Sequence, residues 1–320
     1  MNKSENMKTL KYNEVWIAQR ADPYVYRHND GTYYFTASLP EYHGIAIRKA
    51  DSLKNLAIAE ETMVWKKHDH GPMSCNIWAP ELHYIDHKWY IYFAAGEAED
   101  IWKIRPYVLE CVGQDPVMDP WIERGMMQSA DDDEFSFRAF SLDATVFQNK
   151  GKKYIVWAEK VGVGKQISNL YIAEMESPTK LKTVQVLLTT PDYDWERKGY
   201  WVNEGPAVIH KNGKIFLTYS ASETGIDYCV GMLCIDENDD ILDPGRWKKR
   251  RYPVLKSHEK SGIYGPGHNS FTTDEEGNDI MVFHARTETE IEGNPLYNPN
   301  RHAMLMKIEW NDMGEPVFQL

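Results

Sequence analysis

The sequence predicts an all-β fold, a five-bladed β-propeller built as one domain over residues 1–320, on three observations. A short segment, a turn followed by an aromatic and β-branched run, recurs five times. Aromatic residues are abundant, with 11 Trp, 19 Tyr and 10 Phe, and such residues favour strands. Helical patterning is sparse. The copies open at His28-Asn-Asp-Gly31, Ile85-Asp-His87, Asn149-Lys-Gly151, Lys211-Asn-Gly213 and Glu276-Gly277. With Gly31, His87, Gly151, Gly213 and Gly277 as markers, the steps are 56, 64, 62 and 64 residues. A unit of that length with hairpin turns of the Asn-Gly and Asp-Gly kind fits one four-stranded sheet, and sheets repeated about an axis make a propeller. Polar residues that precede each turn then converge on that axis.

Taken in order, residues 1–14 read as an N-terminal tail, with Val15-Trp-Ile17 as an apolar anchor. In the first unit Asp22 lies 9 residues before Gly31, within Ala21-Asp-Pro-Tyr24. Asp-Pro also occurs at Asp115, Asp119 and Asp243, so its phase, not the dipeptide, singles out Asp22. The following proline predicts an extended backbone there. The second unit carries Trp78-Ala-Pro-Glu81 at a comparable place. Residues 96–140 do not fit plain strands, and their acidic run Asp131-Asp-Asp-Glu134 reads as a solvated loop at the rim of a site. In the third unit Asp143 lies 8 residues before Gly151; in the fourth, Glu204 lies 9 before Gly213. Glu204 sits among apolar strand formers, which implies a watery cavity or a raised pKa. The basic run Lys248-Lys-Arg-Arg251 reads as a solvated loop or edge strand. In the fifth unit His268 lies 9 residues before Gly277 amid glycines and a proline, and His284-Ala-Arg286 offers a nearby arginine. Residues 287–300 read as a second rim loop.

A net charge of -12 argues against nucleic-acid and anionic-membrane partners. The four cysteines lack metal-site spacing and read as reduced thiols. The N-terminal stretch is polar, without the apolar run of a signal peptide, so a cytoplasmic protein meeting small imported molecules is expected. The oligomeric state, a homo-oligomer included, is left open. Two carboxylates and a third that tunes them are the equipment of glycoside hydrolysis. An inverting pair stands roughly 6.5–9.5 Å apart and a retaining pair about 5–5.5 Å, and both stay open at this point.

These segments, with Asn203-Glu204-Gly-Pro206 and Gly265-Pro-Gly-His268-Asn-Ser, together resemble glycoside hydrolase family 43 over residues 15–315. The resemblance implies a five-bladed propeller that hydrolyses with inversion, with Asp22 as general base, Glu204 as general acid and Asp143 orienting the acid. It further implies a calcium ion beside His268, held by that residue and waters. Trp78, Arg286 and Phe35 are the substrate-binding candidates. Related invertases carry Asn-Asp-Pro-Asn-Gly where this chain has Ala21-Asp-Pro-Tyr24, and an Arg-Asp-Pro segment that it lacks, which argues against a fructosidase. The expected substrate is a xylo- or arabino-oligosaccharide. An exo-acting β-1,4-xylosidase leads, an α-L-arabinofuranosidase stands second, and a non-catalytic glycan-binding propeller is the rival from another class.

Overall fold

The computed structural model describes residues 10–320 and is all-β, with helix limited to α1 (Leu53–Leu56) and three 3-10 turns. Among the described residues no helix is long and apolar enough to cross a membrane. Of the expected tail 1–14, residues 1–9 lie outside the described residues. The rest is anchored: Asn13 N–H donates to Leu305 O at 2.8 Å, its side-chain amide donates to Gln319 O at 3.1 Å, and Leu10 and Tyr12 pack on the core.

After β1 (Val15–Ile17), an antiparallel sheet runs β2 (Ala21–Arg27), β3 (Tyr33–Ser38), β4 (Gly44–Ala50) and β5 (Glu61–Lys66). A second holds β6 (Cys75–Ile85), β7 (Lys88–Glu97), β8 (Asp100–Cys111) and β9 (Trp121–Met126). A nine-stranded assembly follows. It contains β10 (Ser141–Asn149), β11 (Lys152–Val163), β12 (Lys165–Ser177), β13 (Lys180–Leu181) and β14 (Val186–Thr189), then β15 (Trp201–Lys211), β16 (Lys214–Ala221), β17 (Cys229–Asp236) and β18 (Lys248–Lys249). Its single parallel junction is β12 with β15, through Ile167↔Trp201 and Ser168↔Val202. The last four-stranded sheet joins β19 (Tyr264–Thr273), β20 (Asp279–Arg286) and β21 (His302–Lys307) to β1, which pairs with β21. A small ribbon of β22 (Glu309–Trp310) and β23 (Pro316–Val317) completes the chain.

The five predicted turns are hairpin tips. Gly31, His87, Gly151, Gly213 and Gly277 all have positive φ, from 65° to 88°, the left-handed conformation that tight hairpins need.

Alternate residues of a strand point to opposite faces, and here both faces are covered. Tyr34, Ile45 and Trp65 of the first sheet pack with Leu82, Trp89 and Ile91 of the second. Tyr90 and Tyr92 of the second pack with Ile155 and Trp157 of the next strands, and Val156 and Leu170 pack with Leu217 and Tyr219. Phe216 and Met232 pack with Phe283 and Met304, and Val282 and Leu305 return to Val25, Tyr33 and Phe35 of the first sheet. The apolar cores therefore lie between successive groups of strands, and the last is shared by the two ends of the described chain.

What positions the site is a repeated irregularity in the leading strands β2, β6, β10, β15 and β19, each of which contacts the next, with β19 contacting β2. Asp22, Ala79, Asp143, Gly205 and His268 all have φ between 42° and 55°. Each falls where the register with the following strand shifts, at Ala21/Tyr24, Trp78/Glu81, Leu142/Thr145, Glu204/Ala207 and Gly267/Ser270. A bulge bends the strand and re-aims one side chain. The expectation of an extended Asp22 is thus corrected, and the equivalent position of the fourth unit is Gly205, with Glu204 one residue ahead of it.

Candidate active site

Asp22, Asp143, Glu204, His268 and Trp78 line one cleft of about 830 Å³, together with Tyr228, Lys160 and Arg301. Three of these side chains leave strands at the left-handed positions just described. A non-glycine residue in that region is strained, and such strain persists only where surrounding contacts over-determine it.

Those contacts are visible around Asp22, which is 8% exposed. Ser38 Oγ donates to its Oδ2 at 2.5 Å and accepts the Ala79 N–H at 2.8 Å, tying the first leading strand to the second. The Asp22 N–H donates to His284 Nδ1 at 3.0 Å. His268 Nδ1 stands 3.2 Å and Arg301 Nη1 3.6 Å from Asp22 Oδ1. Burial alone would raise the pKa of this carboxyl; the charge of His268, the His284 contact and Arg301 overcome it and hold Asp22 well below the usual carboxylate range. Burial pushes His284 down to about 4, so its ring is neutral and its Nδ1 is free to accept. His268 goes the other way. Burial opposes its charge, but Asp22, Asp143 and Glu204 surround it and raise it.

The other two carboxyls are shifted oppositely to Asp22. Burial raises Asp143 and, with added repulsion from Glu204 and Asp22, prevails over the charge of His268 and the Gly205 N–H donated to its Oδ2 at 3.0 Å. Burial likewise raises Glu204, against a hydrogen bond at 2.8 Å from the Tyr228 hydroxyl to its Oε1. Both are thus held above the usual carboxylate range, where Asp22 is held below it. Lys160, its ammonium 3.8 Å from the centre of the Phe140 ring, is lowered by burial and adds positive charge on the Glu204 side. A permanent carboxylate and a proton-holding carboxyl in one cleft can divide base and acid roles between them.

Two expected substrate contacts lie elsewhere. Phe35 is 1% exposed and packs edge-on to Trp16 at 5.5 Å in the core shared with Val282, because its face of β3 turns toward the last sheet. Arg286 stands outside the cleft and ties down the loop after β20, donating to Asn298 Oδ1 at 2.8 Å and Pro295 O at 2.7 Å. The arginine beside the carboxylates is Arg301, which also donates to Tyr42 Oη at 2.9 Å and Leu296 O at 3.2 Å. The acidic run is not wholly solvated either. Asp133 is buried and accepts from the Phe135, Ser136 and Gln185 N–H groups, clipping the loop that carries Phe140. Ser38, Tyr228 and Arg301 carried no motif of their own, and His284 was read only within the His284-Ala-Arg286 segment that offered an arginine; the fold brings all four to the site.

Calcium takes roughly six to eight oxygen ligands. Around His268 the nearest donors, Asp22 and Asp143, approach the same ring nitrogen at 3.2 and 3.8 Å and serve as its ion-pair partners. Among the described residues no three His, Cys, Asp or Glu side chains are grouped to hold a metal ion. The donor set does not fit a protein-ligated calcium, and no step below passes through one.

The sequence model for "Glycosyl hydrolases family 43" matches residues 12–316. The chain is 46% identical over 301 residues to an extracellular exo-α-(1→5)-L-arabinofuranosidase of Streptomyces avermitilis, covering 94% of this chain and 61% of that one. It thus spans under two thirds of that relative's length. An enzyme of the same name from Streptomyces chartreusis is 47% identical over 285 residues, covering 89% of this chain and 85% of the relative. Among solved structures, an α-L-arabinofuranosidase from Lactobacillus brevis superposes with a TM-score of 0.89 at 50% identity, covering 95% of each chain. The expected cytoplasmic location does not stand against these findings: both Streptomyces relatives are named as extracellular.

Proposed function

The chain belongs to glycosyl hydrolase family 43 and is a glycoside hydrolase, and from that premise we propose an exo-acting, inverting α-L-arabinofuranosidase that removes terminal arabinose from short α-1,5-linked arabino-oligosaccharides. The observation that carries the reading is the convergence of Asp22, Asp143 and Glu204 on one cleft, with His268 and Arg301 against Asp22 and the Tyr228 hydroxyl on Glu204. The names of the 44–50% identical relatives support arabinose, which the sequence placed second to xylose.

In this mechanism Asp22, kept in its carboxylate form by His268 and Arg301, takes a proton from the attacking water. Glu204 protonates the departing glycosidic oxygen. Burial and the negative charge of Asp22 keep Glu204 protonated, and Asp143, itself aimed by the Gly205 N–H at 3.0 Å, is the residue that orients the acid. His268 and Arg301 hold Asp22 in place without removing its charge.

The same proposal includes five blades in a single domain. The nine-stranded assembly divides at its one parallel junction into two antiparallel groups, and the leading strands follow one another back to the first.

Incubation with α-1,5-arabinobiose, α-1,5-arabinotriose and xylobiose, followed by NMR of the first-formed sugar, tests it. Stepwise release of arabinose as the β-anomer is expected. Xylose release without arabinose would overturn the substrate, an α-anomer would overturn inversion, and hydrolysis of none would overturn the activity.

A further inference from the structure

Tyr228 is 1% exposed and lines the same cleft as the base and the acid. Its ring stacks on His284, centroids 5.6 Å apart and planes 6° from parallel. His284 in turn accepts the backbone N–H of Asp22 at 3.0 Å. On the other side the Tyr228 hydroxyl donates to Glu204 Oε1 at 2.8 Å. One rigid aromatic pair thus spans from the backbone of Asp22 to one named oxygen of Glu204.

The room for this pair is made by a glycine. A Cβ on Gly267 would lie 2.3 Å from Tyr228 Cε1 and 2.4 Å from Cδ1, well inside contact distance. Gly267 directly precedes His268, so the strand that delivers the imidazole also provides the slot for the phenol ring.

We propose that Tyr228 is a positioning residue for proton delivery, which occupies Oε1 of Glu204 so that the transferable proton sits on Oε2, and which with His284 sets the separation between acid and base. A protonated carboxyl has one O–H, and an oxygen already accepting from Tyr228 is the poorer place for it. As the proton passes to the glycosidic oxygen, the C–O bond to the leaving group breaks. The carboxylate left on Glu204 keeps the Tyr228 hydrogen bond, now charge-assisted and stronger. The contact is therefore worth more after proton transfer than before it, as transition-state stabilisation requires.

This inference rests on the arabinofuranosidase reading, and its test separates the two. Wild type, Tyr228→Phe and Glu204→Gln are compared on α-1,5-arabinobiose, whose leaving group needs a proton, and on 2,4-dinitrophenyl α-L-arabinofuranoside, whose leaving group does not. If wild type hydrolyses neither, the activity reading has failed. If it hydrolyses both, Tyr228→Phe is expected to lose roughly ten- to a hundredfold in kcat on arabinobiose and under threefold on the aryl substrate, a smaller copy of the Glu204→Gln pattern. Equal loss on both substrates, or loss on neither, would overturn the proposal. Because Tyr228→Phe keeps the ring, folding is preserved, and the thermal midpoint verifies it. Gly267→Ala, which drives a methyl into the ring, is expected to reduce kcat on both substrates, since it disturbs base and acid together; loss confined to one would contradict the shared span.

Discussion

Replacing Ser38 with alanine should uncouple Asp22 from the neighbouring leading strand. The hydroxyl makes two buried contacts, donating to Asp22 Oδ2 at 2.5 Å and accepting the Ala79 N–H at 2.8 Å. A hydrogen bond to a charged group contributes about 1.5–3 kcal/mol, and an orphaned buried N–H costs roughly 1–3 kcal/mol. The losses share one atom and are not additive, so a fall of about 3 kcal/mol in unfolding free energy is expected. Ser38 is not part of the cleft lining, so the binding of arabinobiose should change little while the base loses its aim; kcat should drop about ten- to a hundredfold, as for a small misplacement of a reacting group. Urea titration and steady-state kinetics on arabinobiose measure the two quantities. Thr36→Val on the same strand is the control: its hydroxyl is buried with no partner among the described residues, so an isosteric methyl should be neutral or stabilising. A Ser38→Ala enzyme that keeps kcat within twofold of wild type would refute the reasoning.

The shifted carboxyls predict two pH effects of opposite sign. Asp22 is depressed, so the stability it contributes is present above the unfolded value of about 3.9 and is lost as pH falls through its folded value. Asp143 is pushed up to about 8, so its contribution is present at low pH and lost as pH rises toward that value. Asp143→Asn should therefore be more stable than wild type by a margin that grows from about pH 4 to about pH 8, readable from urea midpoints across that range; a margin that shrinks with pH would reverse the assignment. In kcat/KM the alkaline limb should follow the Asp143–Glu204 pair, while the acid limb lies below the usual carboxylate range. Phe35→Ala should cost about 3–5 kcal/mol of stability with KM unchanged, because the ring is core; a raised KM with unaltered stability would return Phe35 to the sugar.

The turns were legible because hairpin chemistry is local: Asn-Gly and Asp-Gly state a backbone conformation within a few residues. The candidate acid and base were legible through phase, since equivalent strand positions recur at near-constant spacing. Phase also misled by one residue at Glu204, because the fourth unit uses Gly205 at its left-handed position. Side-chain direction was less readable. All six residues of β3 are buried, so its pattern does not say which face Phe35 occupies. The arginine was misassigned because chain proximity favoured Arg286, at the end of β20. The loop it anchors instead brings Arg301 to Asp22.

The pairing of β1 with β21 has a consequence for how the chain reaches this state. Val15 meets Met304, so the last sheet cannot be completed until nearly all of the described chain has left the ribosome. Closing such a span costs about 3 kcal/mol more loop entropy than closing one of ten residues. Other sheets can assemble from neighbouring segments during synthesis, whereas this one waits with an unpaired edge. The same clasp acts in reverse on the finished molecule: opening must break contacts between distant parts of the sequence, which favours slow unfolding and persistence under conditions where a protein held by local pairing would already have been degraded.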